Sequence, residues 1–342
     1  MKKYLFVVIL AIILISVFLI FTYINSNPSS NNVNLSNVNK TYSQKFCINA
    51  ANNNIIMNIA LANGITCFRT DISFSSSKNA TIMNVVNNNG EYLGILDYQT
   101  VNAQPSQNGC ASGCNWSLSN WNNSIREALK KYPKINEWEI YNEPLFGEFQ
   151  SGYENGSALH YFNMIKSAYE IIKQVEPNST IVCFGGAELF PISTVQQEYY
   201  FYKNVWSYGA SKYCDAISVH AYSMPIYNLT QDPYQNVSLK QVYNFTINLY
   251  ENLTKKPIWI TETGIPSNNF TVGVNLSQQK QASFLTQEFN FFSDYPFIKR
   301  VYWYDLIGGT GAGADFGLLN ATSLKTKPAF NSFIYFIKNS KK

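Results

Sequence analysis

The chain has 342 residues, of which 46% are hydrophobic and only 13% charged, enough apolar material for a full core and too much for a chain that stays disordered. Its formal net charge is +4, with lysines and arginines scattered along it, so the basic stripe of a nucleic-acid binder is missing and nucleic acid is not an expected partner. The length suits one large α/β domain or two small ones.

Lys2 and Lys3 precede Tyr4–Ile24, a run of 21 residues without a charge. As a helix rising 1.5 Å per residue it is about 31 Å long, enough for a bilayer core of about 30 Å. A cleaved signal peptide has a shorter apolar region, about 7–15 residues, and a small-residue cleavage site. Residues 1–24 are therefore expected to be an N-terminal transmembrane helix, lysines inside and the rest of the chain outside; the alternative is a signal peptide and a secreted protein. Residues 25–44, rich in Asn and Ser, read as a flexible linker.

Two features agree with an outside location. The chain holds fourteen N-x-S/T sequons where its Asn, Ser and Thr content gives about six by chance, an excess expected of a glycoprotein. Six cysteines, an even number, fit disulfides in an oxidising compartment. Cys110 and Cys114 are the expected pair, because their loop has no other obvious stiffener. Zinc-like cysteine spacing is absent, and His160 and His220 are the only histidines, so neither a metal nor a cofactor is expected.

From residue 45 onward, short β-rich runs alternate with amphipathic helical stretches. Eight strands are predicted, at 45–49, 65–71, 92–98, 137–142, 180–186, 215–221, 257–263 and 300–306. Helical patterns lie between them, including 121–131, 158–175 and 278–292. Eight such units fill residues 45–342 as one (β/α)8 TIM barrel. A doubly wound open sheet is the runner-up, but no Gly-rich phosphate loop follows the first strand.

A barrel of this kind carries its site at the carboxyl ends of the strands. The polar residues there are Arg69 and Asp71 on strand two, Asp97 on three, Asn142 and Glu143 on four, and Glu188 after five. Strand six offers His220 and Tyr222, seven Glu262, and eight Trp303 and Tyr304. Glu143 and Glu262 lie on facing strands, and two carboxylates across one mouth are the equipment for cleaving a glycosidic bond. Glu139, two residues into strand four, reads as a buried paired charge, and His160, in a helix, as structural. Trp116, in the loop after strand three, is a candidate outer sugar platform, and Asp97, Glu148 and Glu188 are candidates for sugar contacts or loop caps.

The motifs WEIYNEP (138–144) and PIWITETGIP (257–266) resemble the acid/base and nucleophile strands of the clan A retaining glycoside hydrolases. With DFGLLN and KPAF near the end of the chain, the likeness is greatest to families five and thirty-nine. The resemblance implies Glu143 as acid/base and Glu262 as nucleophile, with Arg69 pairing the nucleophile and Asn142 binding a sugar hydroxyl. It also implies His220 and Tyr222 in substrate binding and Trp303 as the sugar platform at the cleavage point. An acid that must hold its proton is expected among apolar neighbours, and a nucleophile beside a cation. The implied activity is hydrolysis of a β-glucan, mannan or xylan with retention, and extended aromatic loops lean towards an endo-acting cleft. A silent glycan-binding surface barrel and an envelope-remodelling transglycosidase are the alternatives. The glycine-rich segment IGGTGAGADFG (307–317) after strand eight departs from this pattern, and the resemblance assigns it no part in the cleft.

Overall fold

The computed structural model describes residues 45–50, 53–72, 76–87, 90–97, 118–145, 157–187, 192–222, 240, 243–269, 274–308 and 315–339. The expected anchor and linker lie outside these residues, as do Cys110, Cys114, Trp116, Glu148 and Glu188. Among the described residues, no helix is long and apolar enough to cross a membrane.

Among the described residues, eight barrel strands alternate with eight α-helices in chain order. They are β1 (Phe46–Asn49), α1 (Asn54–Ala62), β2 (Cys67–Asp71), α2 (Ser76–Asn87), β3 (Glu91–Leu96), α3 (Leu118–Lys131), β4 (Glu137–Ile140) and α4 (Ser157–Val175). The second half continues with β5 (Thr180–Ala187), α5 (Ile192–Ser207), β6 (Ala216–His220), α6 (Asn248–Thr254), β7 (Ile258–Thr263), α7 (Gln278–Ser293), β8 (Ile298–Trp303) and α8 (Pro328–Asn339). Each strand pairs with its sequence neighbour, β8 closes on β1, and every barrel pairing is parallel. All eight expected strands are present, and the doubly wound alternative is excluded by the closure.

Local chemistry sets the helix starts. The Asn53 side chain accepts hydrogen bonds from the amides of Ile55 and Ile56 ahead of α1, and Ser277 accepts from Lys280 ahead of α7, each satisfying amides that have no partner within the helix. Pro328 opens α8 where its missing N–H costs nothing.

Strand alternation divides the side chains between two cores. Outward residues such as Phe46 meet the helix layer, where Phe46 stacks on Phe289 of α7 at 4.3 Å between centroids and meets Phe336 of α8 edge-on. Inward residues Cys47, Cys67, Leu93, Val182, Ala216, Trp259 and Tyr302 form one buried cluster inside the barrel. Two disulfides staple neighbouring units: Cys47–Cys67 joins β1 to β2, and Cys183–Cys214 joins β5 to the turn before β6. Arg300, at the amino-terminal side of the interior, pairs with Glu91 and, at 2.8 Å, with Glu137.

Candidate active site

The inward parity of β2 that buries Cys67 also sends Arg69 into the barrel, where it is 2% exposed. A buried guanidinium must satisfy its donors from protein groups. Arg69 Nε donates to Glu139 Oε2 at 2.5 Å, Nη1 to Glu262 Oε1 at 2.7 Å and to Asn49 Oδ1 at 2.8 Å, and Nη2 to Asn142 Oδ1 at 2.8 Å. Burial pulls its pKa down, but Glu139 and Glu262 outweigh that and raise it. Glu139 is itself fully buried and takes a second bond from Ser218 Oγ at 2.6 Å. One arginine thus serves two carboxylates, and Asp71 is not among its partners.

Glu262 owes its direction to a bulge in β7. Ile260 pairs with Val219 of β6 and Val301 of β8, but the next pairs are His220 with Glu262 and Trp303 with Thr263, so β7 carries one extra residue against both neighbours. Thr261 faces inward, its carbonyl accepting from Asn49 Nδ2. Simple alternation would turn Glu262 outward; the bulge turns it into the mouth instead. Thr263 then points outward and donates to Glu288 of α7 at 3.0 Å.

Glu262 Oε2 accepts from Tyr222 OH at 2.6 Å and lies 3.6 Å from His220 Nδ1. Burial pushes the Glu262 carboxyl up, while His220, Arg69 and the Tyr222 hydroxyl overcome it and hold the pKa below the ordinary carboxylate range. The site therefore contains a buried carboxylate kept ionised.

Glu143 is placed differently. Tyr141 and Glu143 have φ of 69° and 49°, left-handed values costly for residues with a Cβ, and they turn the chain out of β4 at once. The amide of Glu143 donates to the carbonyl of Gly185 at 2.9 Å, within a second bulge, where β5 carries an extra residue against β6 between Phe184 and Gly186. Gly185 has φ of 71°, and a Cβ there would sit 3.0 Å from the Tyr141 carbonyl oxygen. The turn leaves 35% of the Glu143 side chain exposed, in contrast to the apolar enclosure expected from the sequence. It stands at the mouth because the left-handed turn lifts it off the strand.

His220, fully buried, bridges the two acids: Nδ1 is 3.2 Å from Glu143 Oε1, and Nε2 is 3.5 Å from Arg69 Nη2. Burial lowers its pKa, and Glu262 and Glu143 outweigh that and raise it. One ligand atom from each of Glu143, His220 and Glu262 lies within 4.8 Å of the others. This trio fits proton sharing better than a cation, since Arg69 and Tyr222 already occupy the Glu262 oxygens and Nδ1 is turned to the carboxylates.

The sequence model of the family described as glycosyl hydrolase catalytic core matches residues 115–327, more than half of the chain. The chain belongs to this family. Solved glycosidases share its barrel. A family 39 glycoside hydrolase from the gut symbiont Bacteroides cellulosilyticus WH2 is 18% identical, with a TM-score of 0.59 over 87% of this chain and 64% of that one. A β-D-glucuronidase from Dictyoglomus thermophilum is 14% identical, TM-score 0.58, over 88% and 51%. Fungal β-1,4-galactanase is 17% identical, TM-score 0.61, over 82% and 90%. The chain thus spans less than two thirds of the length of the first two, and at these identities the likeness is one of fold. No curated protein matches it by sequence.

Within the barrel, Arg69, Asn142, Glu143, His220, Tyr222 and Glu262 come together at one mouth. Asp97 is buried at the end of β3. Trp303 requires a correction: it is fully buried, its indole meets Phe289 of α7, and its Nε1 donates to the carbonyl of Phe316. It has the outward parity of Val301, so its ring lies between barrel and helices and offers no platform. Tyr304, half-buried, follows the inward parity of Tyr302 and stands beside Phe316, which in turn meets Tyr222. The sequence placed Tyr304 at the end of strand eight beside Trp303, and alternation along β8 from Tyr302 gives Tyr304 the inward face that Trp303 lacks. The roles of Asn49 and Phe316 had no signal in the sequence.

Proposed function

We propose that this chain is a glycoside hydrolase that cleaves a β-linked polysaccharide, or oligosaccharides cut from it, with retention of anomeric configuration. The observation that carries the reading is the unequal pair: Glu262 buried and held ionised, Glu143 a third exposed, with oxygens of the two within 4.8 Å. Carboxyl groups about 5–5.5 Å apart suit a covalent glycosyl-enzyme, whereas inversion needs about 6.5–9.5 Å to admit a water.

In the first step Glu262 forms a bond to the anomeric carbon as the bond from that carbon to the glycosidic oxygen breaks, and Glu143 gives its proton to that oxygen. In the second, Glu143 takes a proton from water, whose oxygen displaces Glu262 from the anomeric carbon. The Asn142 amide, with its oxygen on Arg69, has N–H donors left for a sugar hydroxyl, and Tyr304 takes the platform role in place of Trp303. Structural neighbours are named as an endo-β-1,3-glucanase from Amycolatopsis mediterranei and as β-1,4-galactanases, so β-1,3-glucan and galactan join β-glucan, mannan and xylan as candidate substrates. The proposed organisation is a membrane anchor at 1–24, a tether at 25–44 and a catalytic barrel at 45–342 working outside the cell; partition of the chain with membranes after an alkaline wash tests it.

The deciding assay is sugar release by the detergent-purified full-length chain from these polysaccharides and from aryl β-glycosides, beside Glu262→Gln and Glu143→Gln. We expect Glu262→Gln to lose at least about 10³-fold in kcat, and proton NMR to show the first-released anomer with the substrate's configuration. An inverted first product overturns retention. A folded chain that binds glycan but releases none moves the reading to the silent surface barrel, and early appearance of longer oligosaccharides moves it to a transglycosidase.

A further inference from the structure

The glycine-rich segment after β8 ends in Asp315–Phe316–Gly317, and these three residues are fixed more heavily than a loop of this composition suggests. Gln281, fully buried on α7, donates its side-chain amide to the carbonyls of Ile265, Asp315 and Phe316. The Ser267 amide donates to the Asp315 carbonyl at 2.8 Å, and its hydroxyl to Asp315 Oδ2 at 3.1 Å. Lys327, its side chain 1% exposed, pairs with Asp315 Oδ1 at 2.5 Å. Gly317 packs so closely on Gly308 that a Cβ would fall 1.8 Å from the Gly308 amide nitrogen. Glycine is needed there for the two ends of the segment to meet.

All of this fastening serves one ring. Phe316 meets Tyr222 edge-on at 5.9 Å and Tyr304 at 5.6 Å, and its Cδ1 lies 3.4 Å from where a Cβ on Gly264 would stand. It therefore sits among the ends of β6, β7 and β8, touching the residue whose hydroxyl is 2.6 Å from Glu262 Oε2. Tyr222 lies beyond the last residue of β6; the backbone of Ala221 before it is held to β7 through its amide and carbonyl, and among the described residues the Phe316 ring packs on the Tyr222 ring itself.

We propose that Phe316 is a positioning residue for the hydrolysis: latched through Asp315 to Lys327, Ser267 and Gln281, it keeps the Tyr222 hydroxyl on Glu262. The inference rests on the reading of Glu262 as nucleophile. It assigns Asp315 and Phe316 the task of fixing one hydrogen bond to that carboxylate. Among the described residues, the charged and titratable groups that face Glu262 are Arg69 from β2, Glu143 after β4, His220 from β6 and Tyr222 just after it, with Tyr304 after β8 beside Tyr222. Of these, Phe316 touches Tyr222 and Tyr304.

The test is the pH dependence of kcat/KM for Phe316→Leu, with Tyr222→Phe as the reference for the lost hydrogen bond. Loss of that bond moves the acidic limb, which reports ionisation of the nucleophile, to higher pH. Phe316→Leu is expected to move it in the same direction and to lower kcat roughly threefold to tenfold, the scale of one ring pair, with less change in KM. Phe316→Tyr, which keeps the ring, should restore the wild-type limb. Asp315→Asn, which keeps the shape and weakens the latch, should move it as Phe316→Leu does, and decides the matter if the leucine variant does not fold. A wild-type limb and kcat in folded Phe316→Leu or Asp315→Asn overturns the inference. Glu262→Gln run alongside separates the failures: if it stays active, the nucleophile reading falls first; if it is inactive while these variants are normal, only the role of Phe316 falls.

Discussion

Arg69 is the residue on which the site's electrostatics turn, because one guanidinium faces two buried carboxylates through different nitrogens. A lysine has a single point charge and cannot reproduce that fork, and removing the charge altogether takes the arginine from Glu139 and leaves Glu262 with His220 and Tyr222 alone. Arg69→Met is expected to cost about 3–5 kcal/mol in urea unfolding, the usual effect of breaking a buried pair from one side, and to abolish measurable turnover. The pH dependence of stability gives a second reading of the same cluster. Glu262 has a lowered pKa, so its contribution is present above the unfolded value of about 4.3 and lost as pH falls through the folded one. His220 has a raised pKa, so its contribution is present below about 6.5 and lost as pH rises through its folded value. Denaturation midpoints should therefore show the cluster's full effect between about pH 4.3 and 6.5, and Arg69→Met should weaken the loss on the acid side. Much of this was legible residue by residue: Glu139 read as paired and buried because a charge low on an inward-facing strand has no other state, and the resemblance paired Arg69 with Glu262. Trp303 was misread because its ring type outweighed its parity, and parity decides which side of a barrel wall a ring can reach.

At the level of elements, the strands were readable and their irregularities were not. Parallel strands buried on both faces appear as continuous apolar runs, which is why β1 to β8 could be placed from the sequence. Alternation alone, applied to β7, would send Glu262 outward, and nothing in ITET marks the extra residue that brings it in. Nor does anything in VCFGG mark the bulge in β5 beyond the glycines. Gly185 is where that bulge meets the turn carrying Glu143, through the carbonyl that accepts the Glu143 amide. Gly185→Ala puts a Cβ 3.0 Å from the Tyr141 carbonyl oxygen at a φ of 71°, so either the bulge relaxes or the β4 turn moves away. The expected result is a stability loss of about 1–3 kcal/mol together with a fall in kcat larger than any rise in KM, because Glu143, the proposed acid, shifts relative to the leaving oxygen. Unchanged kinetics in a destabilised Gly185→Ala protein would show that the bulge supports the fold without aiming the acid.

Across the whole molecule, the two ends of the barrel interior carry polar clusters of similar make-up but opposite use. At the carboxyl end Arg69 joins acids that face the mouth. At the amino end Arg300 joins Glu91 and Glu137, lies over the Trp259 ring at 5.4 Å and contacts the sulfurs of the Cys47–Cys67 disulfide. Barrels of this class concentrate chemistry at the first end and stability at the second. Arg300→Met should therefore lower the denaturation midpoint while leaving kcat of the folded protein within about twofold of wild type, the reverse of what Arg69→Met does. The loss should also depend on pH. Burial already raises the Glu137 pKa against the opposing pull of Arg300, and without the arginine it rises further, so the variant can neutralise Glu137 by protonation in mild acid but must bury its charge in base. A folded pKa above the unfolded value means stability that is lost as pH rises through it, so the deficit of Arg300→Met should be greater at pH 8 than at pH 5. An equal deficit at both values would assign the arginine's contribution to packing on Trp259 and the disulfide, since that packing is the part of its environment that does not titrate.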